Sequence, residues 1–327
     1  MLSLDRSLYL ILVFLILFRT INIINSNIGE SRTMQDFNKK LTDKIIEQME
    51  TLGDNWLRPF GSIGGAPINA ITGEHYTGSN YMMLSLFADC HVLATYKQWQ
   101  SVGAQVRKGE KGIQCFRYGK YQAENSQGDE VTKQFCKYFT VFSITQCDNV
   151  PEWIVDAAGL GESVDTTEVI KNIDDFIKNT KAKVTKGSPC YIPSEDTIQM
   201  PDRSSFVSNS DASSTSHYYS TFLHELTHWT KGPGRLDRKS HRRFGDPTYS
   251  FEELIAELGA AMLCARLGLD QEPTPDHAKY LNNWLKALQG DKDTKPDYTL
   301  IHDAAKFAQA AVDHLLTYQP ESFKLAA

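Results

Sequence analysis

HYYSTFLHELTHWTKG, residues 217–232, carries the pattern H-E-x-x-H as His224-Glu225-Leu226-Thr227-His228. On an α-helix, histidines four apart project from one face about one turn from each other, a separation that one zinc ion can bridge. The other stripe of the stretch, Tyr219, Phe222, Leu223, Leu226 and Trp229, is large and apolar and would anchor the helix in a core. The stretch therefore predicts a buried helix that turns two imidazoles and a carboxylate toward a cleft.

Two imidazoles do not complete a site. A structural zinc is closed by four protein ligands, whereas hydrolysis needs three ligands and an open position for water. The next amphipathic stretch, FEELIAE at 251–257, opens a predicted helix over 251–267 that ends at Gly268, with Glu253 and Glu257 on one face. Glu253 would complete the metal site while Glu257, one turn on, orients a histidine through its free ring nitrogen. The variant with Glu257 as the ligand stays open, as does the reading of the acidic residues as a solvated helix face. Gly259, Ala260 and Ala261 would let the two helices approach closely. Glu225 is then the general base, taking a proton from the attacking water and passing it to the leaving amine. Zinc can bring the pKa of its bound water near 7. One zinc ion suits the donors, though two imidazoles and a carboxylate also suit manganese or iron. His217, Tyr218, His241 and Tyr249 are near enough in sequence to serve an oxyanion, and spacing selects none of them.

Working outward, 327 residues leave room for two domains. A net charge of -6 argues against a protein that coats nucleic acid over its whole surface, without excluding local basic patches. The six cysteines are scattered with no C-x-x-C pair, which indicates neither a zinc ribbon nor a disulfide framework and fits a reducing cytoplasm. From Met34, the apolar positions Phe37, Leu41, Ile45, Ile46 and Met49 mark a helix that Gly53 stops. An apolar helical run follows at YMMLSLF. Two strands come next, Gly112–Tyr118 and Phe135–Thr145, with YQAENSQGDEVTK between them as a long hairpin loop. Periodicity lapses between about 148 and 165, and Asp165-Thr166-Thr167-Glu168 then offers a capping-box start to a new helix. Extended pieces at Lys183–Thr185, Cys190–Ile192 and Thr197–Met200 precede a serine-rich loop and the H-E-x-x-H helix. Further helices are expected over 278–290 and 299–316. The fold class is α+β: an α+β domain over 34–150, then a mainly helical metal-binding domain over 165–327.

Residues 1–33 stand apart as a leader. LYLILVFLILF at 8–18 is an unbroken apolar run of eleven residues, shorter than the roughly 20 a spanning helix needs. No small-residue cleavage site follows it. The reading adopted is an upstream extension, with translation starting at Met34 and no stable membrane association. A membrane-anchored or exported form, and with it a secreted peptidase, is the alternative.

Between Lys97 and Tyr121 six basic residues, Lys97, Arg107, Lys108, Lys111, Arg117 and Lys120, meet one acidic residue, Glu110. Trp99, Phe116, Tyr118 and Tyr121 are interleaved. Cations beside exposed aromatics neutralise phosphates and stack unpaired bases, as single-stranded DNA requires. The same composition also suits a strand whose aromatics enter a core while the charges are solvated. If the DNA reading holds, Lys97, Trp99, Arg107, Lys108, Lys111 and Arg117 carry it, and binding depends on salt.

PINAITGEHYTGSNYMMLSL, TYKQWQSVGAQVRKGEKG and VFSITQC resemble the N-terminal domain of ArdC-type antirestriction proteins, a domain that also occurs on plasmid primases. The resemblance continues through YIPSEDTIQMP, YYSTFLHELTHWTKGPGRLDR, YSFEELIAELGAAMLCARLGL and YLNNWLKAL, from Met34 nearly to the end. It implies a single-stranded-DNA-binding domain joined to a zincin-like metallopeptidase domain, carried by mobile elements and protecting incoming DNA from host restriction. It also implies that His224, Glu225 and His228 match the family's metal motif, and Glu253 and Glu257 its downstream acidic pair. The leader and the length of the serine-rich loop depart from the pattern. A protein substrate acting on the DNA would be the peptidase's target. The competing expectation is a non-catalytic shield that covers the strand and keeps a structural or vestigial zinc.

Overall fold

The computed structural model describes residues 36–53, 56–57, 63–124, 129–158, 166–207, 213–238, 247–269, 277–290, 292 and 295–321. The leader, Asp165 of the expected capping box and His241 lie outside them. Helix α1 (36–52) turns Phe37, Leu41, Ile45 and Met49 into the core, and Gly53 follows it at φ +55°. The first half continues through β1 (Ile68–Asn69), α2 (Gly78–Phe87), β2 (Val92–Thr95), α3 (Tyr96–Ser101), β3 (Gln105–Val106), β4 (Ile113–Glu124), β5 (Glu130–Ser143), β6 (Cys147–Asp148) and α4 (Glu152–Ala157). Four strands form one sheet in the order β1-β2-β5-β4, with β1 and β2 parallel and the other pairs antiparallel. Strands β3 and β6 form a separate antiparallel ribbon.

Two local features differ from expectation. The hairpin ladder runs unbroken from Ile113 opposite Val141 to Glu124 opposite Glu130, so most of the stretch read as a loop is strand. Backbone pairing needs no apolar side chain, and this outer part of the ribbon keeps Tyr121, Gln122 and Thr132 exposed. The short helix α3 has no readable period, yet its start has a local cause. Thr95 Oγ1 accepts from Gln98 N–H at 3.3 Å, and Gln98 Oε1 accepts from Thr95 N–H at 3.0 Å, a reciprocal cap.

The second half comprises α5 (Thr166–Asn179), β7 (Lys183–Lys186), β8 (Cys190–Ile192), β9 (Thr197–Met200), α6 (Ser214–Trp229), α7 (Pro247–Leu267), α8 (His277–Gln289) and α9 (Leu300–Leu316). Its sheet has the order β7-β9-β8, with β7 parallel and β8 antiparallel to β9. Helix α7 touches α5, α6, α8 and α9. Its residues from Leu254 to Ala265 are buried on every side, which is why the stretch, Glu257 apart, is apolar all round.

The lapse in periodicity near 150 does not divide the packing. Phe37, Leu41, Met82 and Phe116 of the first half join Ile173, Leu223, Leu263, Trp284 and Ala308 of the second in one core. Trp56 meets Trp284 edge-on at 6.3 Å, and α2 lies against α9. A smaller core beside the first sheet gathers Val92, Ala94, Trp99, Val106 and Ile144. Among the described residues no helix is long and apolar enough to cross a membrane.

Candidate metal centre

Helix α6 starts at Ser213, whose side chain accepts from Ser216 N–H. The helix touches β8 and β9 as well as α7, so every residue from Tyr219 to Trp229 is buried. Gly259 of α7 lies close against Thr227 of α6. A Cβ there would meet Thr227 Cγ2 at 2.6 Å and Oγ1 at 2.8 Å, so only glycine lets α7 come this near. Thr227 stands between the two histidines in sequence, and the approach therefore sets the distance from the imidazoles to the acidic turn of α7.

At that distance three side chains converge. His224 Nε2 lies 3.1 Å from His228 Nε2, and the two oxygens of Glu253 lie 3.5 Å from His224 Nε2 and 3.4 Å from His228 Nε2. Ligands held 2.0–2.1 Å from a tetrahedral cation stand about 3.3 Å from one another, so these separations fit one divalent ion. The three are the group of metal-holding side chains found among the described residues. Their outer faces are also engaged. His224 Nδ1 faces Glu257 Oε1 at 3.5 Å, an ion-pair separation rather than a closed hydrogen bond. His228 Nδ1 faces Glu252 Oε1 at 3.2 Å.

Glu252 is in turn gripped by Arg238, whose Nη2 donates to Glu252 Oε1 at 2.9 Å and whose Nε donates to Oε2 at 3.3 Å. The guanidinium also donates to Thr230 Oγ1 and to the Thr227 carbonyl, at 2.7 and 3.0 Å. Burial opposes charge on both imidazoles. For His224 the carboxylates of Glu257 and Glu253 outweigh it and raise the pKa; for His228, Glu253 and Glu252 do so and push it up to about 10. Burial raises the Glu252 carboxyl, but hydrogen bonds from His228 and Arg238 prevail and bring it down to about 2. Glu253 is lowered for the same reason, chiefly by His228 acting against burial.

Glu225 is 8% exposed. Its carboxylate neighbours Cys190 of the edge strand β8: burial first, and then the Glu225 charge, raise the Cys190 thiol. That edge is tied to the end of α6 by Arg235, which packs 4.0 Å over the Trp229 ring, pairs with Asp196 and donates to Tyr191 Oη at 3.1 Å. Of the residues considered for an oxyanion, His217 is half-buried and Tyr218 packs among Phe206, Tyr219 and Phe222. The Tyr249 side chain, like His241, is outside what is described.

The basic segment is divided by the fold. Lys97, Lys108, Lys111 and Arg117 are exposed and form no ion pair among the described residues. Arg107 is 43% exposed but committed, to Glu110 at 2.8 Å, Asp148 at 3.6 Å and the Thr145 carbonyl at 2.7 Å. Trp99 corrects the expectation of a base-stacking residue. It is 0% exposed, sits in the smaller core and donates its indole N–H to the Phe142 carbonyl at 2.9 Å. An indole used to fill a core presents no face to a nucleobase. Phe116 is likewise buried, while Tyr121 is 49% exposed.

Residues 35–142 match the N-terminal domain of anti-restriction factor ArdC, and residues 171–306 match a family of zincin-like metallopeptidases. A metal-free crystal structure of the antirestriction ArdC protein from plasmid R388 is 37% identical, with a TM-score of 0.67 over 86% of this chain and 97% of that one. The chain belongs to the ArdC-type antirestriction family. A Mn(II)-bound structure of the same R388 ArdC protein is similar to it at 35% identity and a TM-score of 0.64. The uncharacterized protein y4eC of Sinorhizobium fredii (strain NBRC 101917 / NGR234) is 33% identical, over 89% of this chain and 95% of its own length. DNA primase TraC of Escherichia coli is 32% identical over 88% of this chain, which spans 28% of that longer protein.

Within this ArdC-type chain, sequence reasoning passed over Glu252 and Arg238. The doublet Glu252-Glu253 was a usable signal, since adjacent helical residues point about 100° apart and one of the pair can face metal while the other backs a ligand. Arg238 gave none. It lies beyond the end of α6 in a turn without period, and only the tertiary path of the chain brings it to Glu252.

Proposed function

We propose that this chain binds single-stranded DNA through its N-terminal half and holds one zinc ion at His224, His228 and Glu253 for peptide hydrolysis. In this reading the protein serves a mobile element by protecting incoming DNA from host restriction. The target is a protein that acts on the strand. The observation that carries the reading is the convergence of three donors on α6 and α7, with the buried carboxylate of Glu225 next in sequence to one of them. A divalent ion there would supply a Lewis acid for a carbonyl and lower the pKa of water. Manganese is the alternative ion, because the R388 relative has a Mn(II)-bound structure and the donor set accepts it.

The chain's own residues do the rest. Glu225 removes the proton from the attacking water and returns it to the leaving amine. Glu257 and Glu252 hold the imidazoles in the orientation that directs Nε2 inward. Lys97, Lys108, Lys111 and Arg117 neutralise phosphates; Trp99 does not take part, and Arg107 supports the turn beside them.

The test is Glu225→Gln, which preserves shape and leaves the three donors in place. The expected variant melts as the parent does, takes up metal with the same stoichiometry, binds an oligothymidylate with unchanged affinity and loses protection of transferred DNA in a restricting recipient. Protection at the parental level would remove the hydrolytic reading and leave the strand-covering shield.

A further inference from the structure

A cavity of about 730 Å3 lies where the first half of the chain meets α9. One wall is the start of α2 with β4, the other is the exposed side of α9. Arg117 extends from β4 and Lys306 from α9, both exposed and neither in an ion pair among the described residues. Asp313, the acidic residue of the lining, is held by Gln309, which donates to its Oδ1 at 2.8 Å. The walls are fixed rather than loose. Ser79 Oγ and His302 Nδ1 are 2.6 Å apart across the junction, and Gly78 N–H donates to Gln309 Oε1 at 3.2 Å. Asn80 receives the Phe116 N–H and donates to the Phe116 carbonyl, at 3.1 and 2.7 Å, which pins the strand that carries Arg117.

Two cations without an ion pair among the described residues line this cavity against the single carboxylate of Asp313, so its wall is net positive and favours an anion. The volume is that of a small-molecule site and holds a nucleotide unit. We infer that this cavity seats a phosphodiester of the bound strand between Arg117 and Lys306, so that the metal-bearing half of the chain contributes directly to DNA binding. The inference rests on the strand-binding reading above and adds to it a residue of α9 that lies outside the basic segment. It also ties the strand to the metal-bearing helices, because Phe307, the neighbour of Lys306, meets the ring of Phe251 at 6.1 Å, one residue before Glu252.

The experiment measures binding of a fluorescent oligothymidylate by anisotropy across a salt series, for the full chain and for Arg117→Gln, Lys306→Gln and the double variant. Lys178→Gln, on the exposed side of α5, is the control, and thermal melting checks that each variant folds. Each lost phosphate contact lowers the slope of log affinity against log salt by about 0.7. The expected result is that loss for each single variant and about 1.4 for the double variant, with Lys306→Arg retaining the parental slope and Lys178→Gln unchanged. If the parent binds and Lys306→Gln keeps both affinity and slope, the inference is overturned while the strand-binding reading stands. If the parent binds no oligothymidylate, that reading fails and takes the inference with it.

Discussion

Replacing Glu252 with glutamine keeps its volume and removes its charge, which isolates what the carboxylate does for His228. Its side chain is 8% exposed and lies between the His228 ring at 3.2 Å and the Arg238 guanidinium at 2.9 Å. The carboxyl is brought from an ordinary 4.5 to about 2. A depression of that size corresponds to about 3 kcal/mol of stability. It agrees with the usual 3–5 kcal/mol for stripping one partner from a buried pair. Because the folded pKa is depressed, this stability is fully present above about 4.5 and is lost as pH falls toward 2. The metal-free variant should therefore melt well below the parent at neutral pH, and the gap should narrow as the solution is acidified. Metal uptake should weaken by about 10- to 100-fold, the range for losing a group that orients a metal-binding histidine. Chelator competition reads the affinity and calorimetry the stability. An unchanged metal affinity in a variant with the parental melting temperature would refute the role given to Glu252.

Gly259→Ala tests the approach of α6 to α7. Alanine is the better helix former by about 1 kcal/mol, so a loss of about 1–3 kcal/mol in melting experiments would be steric, from overpacking against Thr227. Metal affinity should fall with it, and Thr227→Ala in the same chain should recover part of both; a fully stable single variant with parental metal uptake counts against the geometry. Trp99→Ala should cost about 3–5 kcal/mol in denaturant unfolding, as for a large side chain removed from a core. Measured at a temperature where the variant is folded, its affinity for oligothymidylate should equal the parent's, and a selective loss of DNA binding would restore Trp99 to the strand.

Periodicity told which residues of a helix are buried and which side chains share a face. It was enough to read α6 with its two imidazoles, the acidic face of α7, the stripe of α1, and the three short strands before α6, because each of these signals is local. The H-E-x-x-H spacing acts within one turn of helix, and a capping residue acts within three positions. The same local signals were ambiguous for Trp99, since an indole looks alike in sequence whether it fills a core or awaits a base.

Contacts between distant segments decided the rest. Nothing local states that Arg238 reaches back to Glu252, that Arg235 ties β8 to the end of α6, or that α1 and α2 share their core with α7, α8 and α9. These depend on how close the helices come, and that distance is set at a few contacts such as Gly259 against Thr227. The amino-acid order by itself determined the two imidazoles, the acidic helix and the apolar faces, whereas only the packed chain decided which carboxylate stands beside which ring and which cations were left exposed, because both follow from separations between helices that no periodicity encodes.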